Sequence, residues 1–209
     1  MGNERNWSMG RRVLITGGAG FVGSHLADAL LKDGCAVRAL DSLAPLVHGR
    51  TRKPPAYLAK DVAFVRGDLR DRDAVRKAIR GVSVISHQAA AVSVAQSMYE
   101  IADYVEANSF GTAVLLDVLA NEKHRVEKLV VASSVTIYGE GAYRCSRCGP
   151  VYPKVRPPSQ LQARQWEMRC PSCGRPAQTI PTSEDCPLHP TSIYAITKRD
   201  QEEMCLTIG

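Results

Sequence analysis

Eight residues, Thr16-Gly17-Gly18-Ala19-Gly20-Phe21-Val22-Gly23, separate a short apolar run, Arg12-Val13-Leu14-Ile15, from an amphipathic stretch that reaches Lys32. That order reads as strand, tight turn, helix. Gly17 permits the tight turn, Gly20 lets a ligand approach the backbone at the helix start, and Gly23 lets the helix pack closely on the sheet. The helix N-terminus presents N–H groups and the positive end of the dipole, which favours a pyrophosphate. A glycine fingerprint alone is weak evidence. Here a second apolar run, Ala36 to Leu40, ends at Asp41, about 20 residues on, where a dinucleotide site needs a carboxylate for the adenosine ribose. A carboxylate there repels a 2′-phosphate, so the expected cofactor is NAD in preference to NADP.

Beyond Gly34, which stops the first helix, residues 42–60 hold three prolines and several basic residues and read as a surface loop or broken helix. Val62 to Val65 predicts a third strand closed by Gly67-Asp68, and Asp71 a cap for a helix reaching Arg80. Val82 to Ser86 predicts a fourth strand, Ile101 to Ala120 one long helix, and Lys128 to Ala132 a fifth strand. Strands alternating with helices across short turns imply an α/β fold, a doubly wound, Rossmann-like parallel sheet covered on both faces. With 209 residues, 44% of them apolar, the chain can bury one main core. No apolar run approaches the roughly 18 residues of a membrane helix. Met1 to Arg12 lacks an apolar signal core, so the expected setting is cytoplasmic, with no membrane partner.

The alternation stops at Tyr138. Residues 139–190 are rich in Pro, Cys, Gly and Arg and keep no sustained period, and helical composition returns from Tyr194 to Thr207. The expected organisation is a dinucleotide-binding domain over residues 1–139, an insertion over 140–190, and a helix of the first domain over 191–209. Two knuckles lie in the insertion, Cys145-Ser146-Arg147-Cys148-Gly149 and Cys170-Pro171-Ser172-Cys173-Gly174. Each Cys-x-x-Cys-Gly turn aims two thiolates at one ion, and a gap of about 20 residues between pairs fits a structural four-cysteine zinc ribbon better than two disulfides. Cys35, Cys186 and Cys205 follow no pairing pattern and are expected to be structural. Seven basic residues and one acidic residue lie between Arg144 and Arg175, while the rest of the chain carries 20 of each sign. Four thiolates around one zinc leave a net negative charge that these residues offset, which accounts for the basicity without nucleic acid. Gln160-Leu161 and Gln165-Trp166-Glu167 are candidates for substrate or partner contacts, against the plainer expectation that Leu161 and Trp166 pack against the ribbon.

The Thr16–His25 segment resembles the opening of the NAD-dependent epimerase/dehydratase family, the extended short-chain dehydrogenases. Within it Phe21 and Val22 join the glycines at the cofactor. Further segments recur in order. Gly67-Asp68-Leu69 is similar to the family's adenine-contacting element, His87-Gln88-Ala89-Ala90 to the turn that lines the cofactor, and Asn108 with Gly111-Thr112 to the motif of the following helix. Tyr194-Ala195-Ile196-Thr197-Lys198 carries the Tyr-x-x-x-Lys spacing, which sets both side chains on one helix face. A cation there favours the phenolate that a general base requires. Ser133-Ser134-Val135-Thr136-Ile137-Tyr138-Gly139 is similar to the segment that supplies the catalytic Ser or Thr, and the resemblance implies Ser134 in that role. Ser133 is expected to be a buried strand-end hydroxyl.

What the resemblance implies is 4-epimerisation of a nucleotide-sugar. In the family's 4,6-dehydratases an Asp-Glu pair follows the catalytic threonine, but Val135 and Thr136 stand here. The insertion, with Ala90-Ala91-Val92 and Gln96-Ser97-Met98-Tyr99, is most similar to members acting on dTDP-6-deoxyhexoses, with UDP-glucose or UDP-glucuronate second. A nucleotide-sugar reductase or dehydrogenase with net redox change, and a non-catalytic NAD-binding regulator, are the readings from other classes. A homodimer is an open expectation. The family generally continues past the catalytic helix into a substrate-binding region, so the segment ending at Gly209 is expected to be a truncated chain, inactive by itself.

Overall fold

The computed structural model describes residues 10–51 and 53–209; Met1 to Met9, most of the segment read as lacking a signal core, lie outside the described residues. β1 (Arg12–Thr16), β2 (Ala36–Asp41), β3 (Ala63–Arg66), β4 (Val84–His87) and β5 (Lys128–Val131) form a parallel sheet in the order β3-β2-β1-β4-β5. Progression runs one way from β1 to β3 and the other way from β4 to β5. The topological switch point, where open α/β sheets bind ligands, therefore lies between the carboxyl ends of β1 and β4.

Alternation along the strands builds two cores. Val13, Ile15, Val37, Ala39 and Val84 point to the face covered by α1 (Phe21–Lys32), with Ala27 buried among them. Leu14, Leu40 and Ile85 point to the other face, against Val75, Ala78 and Ile79 of α2 (Arg72–Ile79) and Val114, Leu115 and Val118 of α3 (Gly111–Asn121). Each fully buried aliphatic side chain contributes about 1.5–3 kcal/mol relative to exposure. Asp71 caps α2 as expected, accepting from the Asp73 and Ala74 N–H groups, while Arg76 and Lys77 face the negative end of its dipole.

The expected single helix over 101–120 is a composite. Ile101–Tyr104 is α-helical, Val105–Phe110 is π-helical, and α3 follows directly. The π-turn holds the buried Asn108, whose Oδ1 accepts from Ala91 N–H at 2.7 Å while its Nδ2 donates to the Ala91 carbonyl at 3.1 Å. A side chain that clasps the β4-following turn explains a local departure from 3.6-residue periodicity. The chain ends in α4 (Ile193–Ile208), capped by Ser192, whose Oγ accepts from Ala195 N–H. No helix among the described residues is long and apolar enough to cross a membrane.

The insertion carries β6 (Tyr143–Cys145), β7 (Gly149–Val151) and β8 (Ala177–Thr179) as an antiparallel sheet in the order β7-β6-β8. Strands of three residues are too short to leave a readable period. Its base is clasped, with His189 N–H donating to the Ile137 carbonyl at 2.8 Å and Ile180 N–H to the Ala142 carbonyl at 3.1 Å. Trp166 corrects an expectation: at 60% exposure it does not pack into the ribbon.

Where β1 and β4 end, Thr16 and His87 are buried side by side. The Thr16 Oγ1 to His87 Nδ1 distance is 2.6 Å, and Thr112 Oγ1 lies 2.8 Å from Nε2. Burial, and after it the Lys198 ammonium, push the ring from 6.5 down to about 3. The unfolded chain therefore takes up a proton that the folded chain refuses. This contribution to stability is whole above about pH 6.5 and is lost as pH falls toward 3. His87→Gln should cost about 1–3 kcal/mol near neutral pH. In urea unfolding the gap from the unsubstituted chain should narrow as pH is lowered to about 4; a gap independent of pH would refute a buried neutral ring.

Candidate active site

A cavity of about 510 Å³ opens at the switch point. It is lined by Gly17, Gly20, Phe21, Val22 and Gly23 of the turn and α1, by Asp41, by Asp68 and Leu69, and by Gln88, Ala89 and Ala90. Gly17 has φ +69°, and a Cβ there would lie 2.8 Å from the Ala89 Cα; a Cβ on Gly23 would lie 2.3 Å from the Gly17 carbonyl oxygen. Backbone proximity therefore demands glycine at both positions. No side chain caps α1, so the N–H groups of its first turn remain available to an anion beside the cavity. Phe21 and Val22 are 79% and 59% exposed at this rim.

Asp41 is held as part of the turn. Its Oδ2 accepts from Ala19 N–H at 3.0 Å and its Oδ1 from Leu43 N–H at 2.8 Å, with His48 Nε2 at 3.8 Å. Each oxygen retains acceptor capacity toward the cavity. The proline-rich loop supports the same turn, since Tyr57 Oη donates to the Ala19 carbonyl at 2.7 Å. Asp68 is engaged differently. Arg70 donates to it through Nε and Nη2, holding the carboxyl below its ordinary value, and also reaches Glu106. The Gly67–Leu69 backbone is then the freer part of that wall.

Tyr194 and Lys198 are both buried on α4. Tyr194 N–H donates to Ser97 Oγ at 3.0 Å, its ring meets Tyr104 edge-on with centroids 6.5 Å apart, and Thr197 accepts at 2.9 Å from Asn108 Nδ2. Lys198 Nζ donates to Gln201 Oε1 at 2.6 Å, and burial lowers its ammonium to about 8. Ser134 caps the 3-10 turn Val135–Tyr138, which packs on α4, and its Oγ accepts from Thr136 N–H and lies 2.8 Å from Thr136 Oγ1. Ser133 is exposed, not the buried hydroxyl expected of it. Tyr194 and Lys198 stand behind the cavity lining, Tyr194 meeting it through Tyr104 and Lys198 through Gln201 and Ala89, while Asn108 links Thr197 to Ala91; Ser134 is related to them only through the packing of its turn on α4. Ser97, Tyr104 and Gln201 were not legible as site residues; only the spacing of Gln201 three after Lys198 hinted at contact.

The four knuckle cysteines converge, with all sulfurs within 4.8 Å of one another and Cys145 Sγ 3.6 Å from Cys173 Sγ. That separation is far too long for a disulfide and suits tetrahedral sharing of one ion at about 2.3 Å from each sulfur. Backbone N–H groups of Cys148 and Arg147 hold the Cys145 thiol well below its ordinary value, while bonding to Cys173 and burial push the Cys148 thiol up, as crowded sulfurs do unless a cation shares them. Gly149 and Gly174 close the knuckles at φ +76° and +71°. Arg156 donates to the Trp166 carbonyl and to Glu140, so part of the local basicity braces the insertion.

The dTDP-L-rhamnose 4-epimerase of Burkholderia thailandensis is 32% identical over 199 residues, covering 93% of this chain and 53% of that enzyme. The dTDP-glucose 4,6-dehydratase of Streptomyces niveus is 38% identical over 141 residues, 63% of this chain and 41% of the dehydratase. The crystal structure of Thermus thermophilus UDP-glucose 4-epimerase in complex with NAD matches with a TM-score of 0.63 and 31% identity, covering 95% of this chain and 50% of that one. The chain spans about half, or less, of the length of these relatives. Residues 13–157, well over half of the sequence, match one family directly. The chain belongs to the NAD dependent epimerase/dehydratase family.

Proposed function

We propose that this chain is the cofactor-binding and proton-handling part of an NAD-dependent nucleotide-sugar 4-epimerase. The observation that carries the reading is the linkage of Tyr194 and Lys198 to the cavity floor through Asn108–Thr197 and Gln201–Ala89. The residues present fit NAD. The uncapped first turn of α1 would hold the pyrophosphate, Asp41 the adenosine ribose, Leu69 and the backbone beside Asp68 the adenine, and Gln88 to Ala90 the nicotinamide side. Bound NAD would supply a reversible hydride acceptor there, so no external reductant would be consumed.

Tyr194 takes the hydroxyl proton of the sugar as the carbon is oxidised and gives it back on reduction. The Ser134 hydroxyl bonds the same oxygen and holds it in line. Lys198 supplies a positive charge that favours the Tyr194 phenolate and donates to the ribose of the cofactor. The keto-sugar turns over between the two half-reactions, so reduction occurs on the opposite face. Dehydration would need an acid and a base where Val135 and Thr136 stand; valine transfers no proton, and Thr136 is bonded to Ser134. That chemistry separates the chain from the dehydratase it resembles. A dTDP-6-deoxyhexose such as dTDP-L-rhamnose is the first candidate substrate, supported by a match that spans 93% of the chain; a UDP-hexose is second. In the insertion, Cys145, Cys148, Cys170 and Cys173 hold one structural zinc, which folds a segment with too little apolar core of its own.

Calorimetric titration should show NAD binding at least about tenfold tighter than NADP, or about 1.4 kcal/mol; equal or tighter NADP binding removes the assignment of Asp41. Elemental analysis should find one zinc per chain, and chelation should unfold the insertion; a metal-free, folded chain with two disulfides by mass spectrometry refutes the ribbon. In protein that carries this chain and epimerises a nucleotide-sugar, Tyr194→Phe should slow turnover about 100- to 10,000-fold while NAD affinity stays nearly unchanged. Retention of most activity would eliminate Tyr194 as the base.

A further inference from the structure

Gln201 lies at the centre of a buried polar chain that spans four elements. It is 1% exposed, on the face of α4 that also carries Lys198. Its Oε1 accepts from Lys198 Nζ at 2.6 Å. Its Nε2 donates to Thr112 Oγ1 on α3 at 2.7 Å and to the Ala89 carbonyl at 3.3 Å, and lies 3.2 Å from His87 Nε2 at the end of β4. The amide has one consistent orientation, because an ammonium only donates and a carbonyl only accepts. His87 completes the chain to Thr16 at the end of β1. With the Nδ1–H tautomer, Nδ1–H donates to Thr16 and Nε2 accepts from the Thr112 hydroxyl, while the two amide protons of Gln201 go to Thr112 and Ala89 and its approach to His87 is a packing contact.

We propose that Gln201 is a positioning residue for the Tyr194–Lys198 pair: a neutral acceptor that holds the Lys198 ammonium in place without cancelling its charge, and ties that position to the cofactor floor at Ala89. This rests on the reading of Tyr194 and Lys198 as the proton-handling pair. A buried ammonium needs a hydrogen-bond acceptor. A carboxylate at this position would satisfy it equally well but would neutralise the field that favours the phenolate. An amide satisfies the hydrogen bond and leaves the charge free to act on Tyr194 and on the cofactor ribose. The charged or titratable groups facing Lys198 support that division. His87 on β4 stays neutral, burial pushes the Cys205 thiol up, and Glu202 on the same helix favours the ammonium less than Cys205 does. The Ala89 carbonyl belongs to the residue that Gly17 approaches most closely, so the nicotinamide side of the cavity and the lysine share one scaffold.

The test is carbon-13 NMR titration of lysine-labelled chain, the Lys198 signal being assigned by its loss in Lys198→Ala, with NAD affinity measured in parallel. Gln201→Glu should raise the proton affinity of Lys198 about tenfold or more. Gln201→Met, which keeps the volume and loses the acceptor, should lower it. Both should weaken NAD binding, on the order of tenfold. Either variant alone is decisive by its direction if the other fails to fold. A Lys198 titration unmoved in the variants, or moved the same way in both, overturns the proposal and leaves Gln201 as packing. If the unsubstituted chain does not bind NAD, the functional reading falls, while the Lys198 titration still decides whether Gln201 holds the ammonium.

Discussion

At the carboxyl ends of β1 and β4 the polar side chains of Thr16 and His87 are buried together, beside the close packing of Gly17 on Ala89. Thr16, His87, Thr112, Gln201 and Lys198 answer that constraint by bonding to one another, and none of their buried side-chain polar atoms lacks a partner. A polar network of this kind is costly when half-satisfied and rigidifying when complete. Here it welds α4 to the cofactor side of the sheet. The helix that carries Tyr194 and Lys198 thus takes its position from the same strand ends that form the glycine turn.

The insertion is stabilised differently. Its short sheet and knuckles bury Cys145, Val151, Cys170 and Ala177 as one cluster, and Ala142, Met168 and Cys186 add to a small buried set. A core that small cannot offset the chain entropy of some fifty residues, at roughly 1–2 kcal/mol each for the backbone. Convergent thiolates supply the missing stabilisation if they share an ion. The insertion begins and ends beside the segments of Ser134 and Tyr194, with its base clasped through Ile137 and His189. Its folding therefore bears directly on the turn that Ser134 caps.

The chemistry that separates epimerisation from dehydration lies in two side chains. Val135 is 77% exposed and inert, and Thr136 commits its hydroxyl to Ser134. The overall likeness to epimerases and a dehydratase is similar in degree, so the proposed epimerase reading draws on these positions and not on the fold. Arg70 makes a related point at the cavity wall, where it engages the Asp68 carboxylate through two of its N–H groups.

Local sequence by itself determined the strand-turn-helix order, the glycine turn with Asp41 at the end of the second strand, the Tyr-x-x-x-Lys pair and the two cysteine knuckles. Each depends on residues close in sequence, whose spacing maps directly onto a turn, a helix face or a pair of ligands. Tertiary structure alone decided the π-turn at Asn108, the exposure of Trp166 and Ser133, and the place of Gln201. These follow from contacts between residues tens of positions apart, such as Asn108 with Thr197 and Gln201 with His87. A side chain's partner across such distances is set by the packing of sheet and helices, which no local period or motif encodes.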